Sequence, residues 1–166
     1  MDLAYYAAEI ARNVGREFPD PLVPWQEMTL RQLLSLVEEA IELDEALRSG
    51  TSDQIAGELA DAAITPYLVA HYADIDLDQV ELEIPGLMLA PPYREAGKVV
   101  KAGRRFLGIA RRRGTKDELA MALARLSFSV QLTATANGVD LETAITDKLN
   151  IIFSRGWKEE ATNVLG

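Results

Sequence analysis

The chain contains no cysteine, which excludes disulfides, thiolate metal sites and cysteine nucleophiles. Histidine is almost as scarce, with His71 alone. That argues against a histidine-ligated zinc site and against di-iron chemistry, which needs a Glu-x-x-His pair on each of two helices. The first residues, MDLAYYAAEIARN, lack a basic lead followed by an apolar run, so no secretory signal is read there. No apolar run approaches membrane-spanning length. The expected location is the cytoplasm, with no membrane partner. A net charge of −9 disfavours nonspecific binding to nucleic acid, and no nucleic-acid partner is expected. Strand signals are also missing: only VELEI (80–84) alternates, and it is short. The chain therefore reads as all-α.

What is present fills one domain of 166 residues, enough for a core without covalent staples. Residues 2–17 have helical apolar spacing, and Pro19, Pro21 and Pro24 force an extended connection after them. Thr29 is read as the N-cap of a long helix to about Arg48, with Leu33, Leu34, Val37, Ile41 and Leu47 as its apolar stripe. Gly50 supplies the stop, and Thr51 with Gln54 has capping-box spacing for a helix over about 53–72. Pro66 predicts a kink or local break inside that helix. Asp76 is expected to cap a short helical turn. Helices over about 93–113, 116–136 and 141–154 complete the reading, separated by turns at Gly114 and at NGVDLET.

Within this frame, two carboxylate pairs stand at helical spacing, Glu39 with Glu42 and Glu58 with Asp61, and Glu38 lies beside the first. Residues three apart share a helix face, and the tight turn at Gly50 folds the two helices back on each other. Four or five carboxylates then converge on one volume and repel one another unless a cation binds. Hard divalent ions of the Mg²⁺ or Mn²⁺ type suit such all-oxygen ligands. The bland alternative, a solvated face with intrahelical ion pairs, is weakened because Arg31 and Arg48 are the only bases between Gln26 and Pro85. Charge reverses in the segment from Tyr93 to Lys116, where nine bases face the single acid Glu95. An acidic half and a basic segment in one domain suggest mutual packing, or a ligand carrying both phosphate and metal.

Shifting the sequence by about 64 residues lays the turn RSGTSD (48–53) on RRGTKD (112–117), and ADIDLD (73–78) on NGVDLE (137–142). A duplicated helical hairpin explains this. The first hairpin covers about 29–80 and the second about 93–144, with a C-terminal helix and tail over 145–166. Two such hairpins pack as an antiparallel four-helix-bundle core, with the N-terminal helix added to it. The acids do not repeat: Glu38, Glu39 and Glu42 fall on Ala102, Gly103 and Phe106, and Glu58 and Asp61 fall on Ala122 and Arg125. One active hairpin and one supporting, degenerate hairpin are the expectation.

The pattern EEAIE (38–42) followed by ELAD (58–61) resembles the MazG-like all-α nucleoside triphosphate pyrophosphohydrolases of the MazG and dimeric dUTPase superfamily. The ending NGVDLETAITDKLNIIFSRGW is similar to that family's closing helix, through Gly138 to Ala144, Lys148, Arg155 and Trp157. The resemblance implies a single MazG-like domain over 1–166. It also implies Mg²⁺ (Mn²⁺ as the alternative) held by Glu39, Glu42, Glu58 and Asp61, with Glu38 as the catalytic residue, either a further ligand or the group that orients the attacking water. The implied reaction converts a (deoxy)nucleoside triphosphate to monophosphate and pyrophosphate, and Lys148 and Arg155 are implied to bind substrate. The family's usual asparagine near Ile152 is absent, since Asn150 stands two residues away.

Two further residues are candidates for substrate contact. Arg125 replaces an acid of the first copy and is read either as a phosphate ligand or as a surface arginine. Trp25 is read either as a base-stacking platform or as a core anchor. A homodimer is the expected assembly, with a monomer as the alternative. Two other functions remain open from the sequence: a non-catalytic helical bundle with a degenerate nucleotide site, and an enzyme resembling phosphoribosyl-ATP pyrophosphohydrolase.

Overall fold

The computed structural model describes residues 1–17, 24–83 and 88–165, the side chains of 14–17 and 155–165 excepted. Six α-helices follow in order: α1 (Leu3–Glu17), α2 (Trp25–Ser49), α3 (Ser52–Tyr72), α4 (Pro92–Phe106), α5 (Lys116–Ala136) and α6 (Leu141–Leu165). A 3₁₀ turn, Leu77–Gln79, stands between α3 and α4. No strand is present among the described residues. The part of VELEI they include, residues 80–83, has no regular structure.

The four long helices of the two hairpins close into a ring. α2 packs on α3 and α4, and α5 packs on α4 and α3, while α1 and α6 cover α3 from outside. Leu33, Leu36, Leu43, Leu59, Leu119, Leu123 and Leu126 fill the centre and are almost wholly withdrawn from water. α5 has the length and mean hydropathy of a membrane-crossing helix, which the sequence reading did not anticipate. Its apolar side, with Leu119, Leu123, Leu126 and Val130, is spent on this core.

Local chemistry explains where the helices begin and end. Thr51 caps α3 through a reciprocal capping box: Gln54 N–H donates to Thr51 Oγ1 at 3.3 Å, and Thr51 N–H donates to Gln54 Oε1 at 2.8 Å. The equivalent Thr115 caps α5 by accepting from Glu118 N–H at 3.2 Å, so both turns of the repeat are built alike. Gly50 ends α2 without entering the left-handed region, at φ −84°. Glycine is needed there for space, because a Cβ would stand 2.7 Å from the Ala46 carbonyl oxygen.

Several expectations are corrected. Thr29 does not cap α2. The helix starts at Trp25, directly after Pro24, and Thr29 is buried inside it with Oγ1 donating to the Trp25 carbonyl at 2.8 Å. The buried stripe of α2 is Leu33, Leu36, Ala40 and Leu43, whereas Leu34 and Ile41 are exposed. The helix carries two apolar stripes, and spacing alone does not say which one meets the core. α3 stays one helix through Pro66, where the ladder lacks the bond that proline, having no N–H, cannot donate. The 3₁₀ turn follows Asp76, but the Asp76 side chain makes no capping bond. α4 stops at Phe106, seven residues before the expected end. Gly108 adopts φ +76°, and Gly108 N–H and Ile109 N–H donate back to the Arg105 and Arg104 carbonyls, a Schellman closure. The connections expected at Pro19–Pro21 and Pro85–Gly86 lie outside the described residues.

The contact of α2 with α4 depends on a missing side chain. A Cβ at Gly103 would stand 2.5 Å from Leu33 Cδ1 and 3.0 Å from Cδ2, and Leu33 is itself buried. Alanine adds about 1 kcal/mol of helix propensity over glycine, but overpacking a filled core costs about 1–3 kcal/mol. Gly103→Ala is therefore expected to lower the urea midpoint, by about 1 kcal/mol in stability. A rise in the midpoint would show that Leu33 turns aside freely.

Candidate metal centre

Glu39 comes from the middle of α2, and Glu58 and Asp61 come from the first half of α3. The antiparallel hairpin brings them level. One carboxylate oxygen from each lies within 4.8 Å of the others. Ligands of an octahedral Mg²⁺ ion, at about 2.1 Å from the metal, stand about 3.0 Å apart when adjacent and about 4.2 Å when opposite, so the three oxygens would close in by up to about 2 Å to share one cation. The donor set is all oxygen, as a hard divalent ion requires. Glu58 Oε2 is buried and accepts no hydrogen bond among the described residues. A buried carboxylate oxygen without a donor is costly, and a cation removes that cost. The residues present fit the ion.

The electrostatics of the metal-free cluster agree. Burial pushes the Glu39 carboxyl up to about 7, and the charges of Asp61, Glu42 and Glu58 push in the same direction, with Lys148 opposing them. Glu58 is raised too, first by burial and then by Asp61 and Glu42, again against Lys148. With these carboxyls raised, a metal competes with protons for their oxygens.

Lys148 reaches the cluster from α6. Its Nζ lies 2.5 Å from Asp61 Oδ2 and donates to it. Nothing in the local sequence announces this contact between residues 87 positions apart. It depends on α6 packing over α3, and only the resemblance in the closing segment had singled Lys148 out. Beside the triad, Glu42, Glu45, Ala46, Ser49, Gly50, Gln54 and Glu58 line a groove of about 270 Å³. Glu42 is exposed at this edge and outside the triad, and Glu38 is exposed one position before Glu39.

The other candidates are placed elsewhere. Arg125 is committed to the second hairpin. Its guanidinium donates to both oxygens of Glu95 at 3.3 Å, and to the Met88 carbonyl at 3.1 Å. Glu95 is wholly buried, and burial raises its pKa. The Ala90 amide, Arg125 and Lys98 more than offset that and hold the carboxyl below its ordinary value. The sequence marks Glu95 as the lone acid in a run of bases but does not give it this role. Trp25 opens α2 at 47 % exposure, with its ring 5.8 Å from that of Phe106. His71 is exposed in the last turn of α3. Arg155 and Trp157 belong to α6, but their side chains lie outside the described residues.

Comparison with protein-family models, with characterised proteins and with solved structures yields no match.

Proposed function

We propose that this all-helical chain is a Mg²⁺-dependent nucleoside triphosphate pyrophosphohydrolase of the MazG-like type, with Mn²⁺ as an alternative metal. The observation that carries the reading is the convergence of Glu39, Glu58 and Asp61 from two helices, with one Glu58 oxygen buried and lacking a donor. The reaction adds water across the α–β anhydride of the triphosphate and releases monophosphate and pyrophosphate. A divalent ion supplies charge neutralisation at the phosphates and acidifies a bound water. The chain's own contributions are the three carboxylates that would hold the ion and the acidic groove beside them. Lys148, the cation that reaches the cluster, stands where a phosphate oxygen can exchange for Asp61. An acidic groove repels a bare triphosphate, so substrate is expected to enter as its metal complex.

The test is pyrophosphate release from a panel of ribo- and deoxyribonucleoside triphosphates, with and without Mg²⁺. Metal-dependent release from at least one of them is the expected result. No release from any, in the presence of a divalent ion shown by calorimetry to bind, would leave a cation-binding bundle and end the enzyme reading.

A further inference from the structure

α2 carries a second apolar seam that neither α3 nor α4 covers. Leu34 is 59 % exposed and Ile41 is 50 % exposed, and the half-buried Leu30 and Val37 complete an i, i+4, i+7, i+11 stripe on the same face. Two of four such residues standing open side by side form a patch, unlike scattered surface leucines.

The patch lies between opposite charges. On one side, Leu33 meets Gly103 of α4. The outer flank of α4 next to that contact carries Tyr93 and Val100, with the exposed cations Arg94, Lys101 and Arg104 beyond them. On its other side, continuing round α2, come Glu38, Glu42 and Glu45, all exposed. Among the described residues, no salt bridge engages these three acids, or Lys101 or Arg104. Arg31 and Arg48 of α2 are taken up by Glu27 and Asp44, and among the described residues the charges left without a salt bridge run acid, apolar, base across the face.

We propose that this face joins two copies of the chain in a symmetric dimer whose two-fold axis runs along α2. A two-fold interface sets a patch against itself. With the axis along α2, the acidic side of each copy meets the basic side of the other, and the Leu30–Leu34–Val37–Ile41 seams pack together between them. With the axis across α2, acid would meet acid and base would meet base, which opposes association. The charge order therefore selects the parallel arrangement of the two α2 helices. The same docking brings the α4 cations of one copy toward Glu38 and Glu42 of the other. The inference does not depend on the metal chemistry.

The absence of cysteine makes the test clean. Light scattering on the whole chain at micromolar concentration is expected to report a dimer. Leu34→Asp and Ile41→Asp are expected to give monomers of unchanged helicity by circular dichroism. For orientation, Leu30→Cys and Ile41→Cys variants are treated with a bis-maleimide spanning about 8 Å, comparable to the spacing of packed helices. The two positions lie about 16 Å apart along α2. In the proposed dimer each variant cross-links to itself, and a mixture gives little 30-to-41 product. A wild-type monomer would leave the face to some other macromolecule and overturn the proposal. A dimer that survives both aspartates, or a dominant 30-to-41 cross-link, would also overturn it.

Discussion

Arg125→Ala is expected to cost about 3–5 kcal/mol in a urea unfolding experiment, the range for removing one partner of a buried ion pair. That is a large share of the roughly 5–15 kcal/mol that holds a domain together. The reason is what stays behind. Glu95 is wholly buried, and without the guanidinium it keeps, among the described residues, the Ala90 amide at 2.9 Å and Lys98 at 3.3 Å. The Met88 carbonyl loses its donor as well. Replacing both partners, as Glu95→Met with Arg125→Met, removes the buried charge together with its counter-ion. The double variant is expected to recover most of the loss, because the desolvation cost of the pair goes too.

The pair also sets an acid limb. Glu95 titrates below its ordinary value in the folded chain, so its contribution is present above the unfolded carboxylate range and is lost as pH falls through the lower, folded value. The double variant is expected to lack that part of the acid transition. If Arg125→Ala instead left stability within about 0.5 kcal/mol of wild type and weakened nucleotide binding, the arginine would be a phosphate ligand and not a structural group.

Glu39→Gln is the second large effect, and it divides stability from function. Metal binding and metal-dependent hydrolysis are expected to fall at least about 100-fold, since even groups behind a ligand cost 10–100-fold. The metal-free fold is expected to gain thermal stability at pH 8. The sign follows from the raised carboxyl. Glu39 titrates at about 7 when folded, against 4.5 as its ordinary value, so between these limits the folded state binds more protons than the unfolded one. Glu39 therefore contributes a loss of stability to metal-free wild type as pH rises from about 4.5 to about 7. The glutamine variant lacks the Glu39 share of this decline and keeps the part due to the raised Glu58, and saturating Mg²⁺ should remove both in wild type. A melting temperature that drops on Glu39→Gln at pH 8 would make the residue a structural one.

The hairpin and its acids were legible in the chain because their signals are local. Thr51 with Gln54 marks a capping box in four residues, and Glu58 with Asp61 shares a helix face by periodicity alone. Thr115, at the matching turn, was legible through the repeat. What the sequence left open was decided at distance. Spacing in α2 is compatible with two apolar stripes, and only the seating of Gly103 against Leu33 selects the one containing Leu33 and Leu36, leaving Leu34 and Ile41 outside.

The missing acids of the second hairpin have a similar physical cause. Gly103 stands where the first copy has Glu39, and its lack of a side chain admits α2. Ala122 stands at the position of Glu58 and is buried. Arg125 stands at the position of Asp61 and holds Glu95. Phe106, at the position of Glu42, packs beside Trp25. The end of α4 was misjudged because its basic run continues past Gly108, whose left-handed turn costs a glycine little.

By itself, then, the sequence determined the order of the six helices, the Thr51–Gln54 cap and the presence of two acidic pairs, all set by residues within about one turn of each other, and it showed the repeat through matching turns. Tertiary structure decided which carboxylates meet, which acids stay at the edge, and that Lys148 stands on Asp61. Those outcomes depend on how whole helices pack, and no local spacing encodes the distance between α3 and α6.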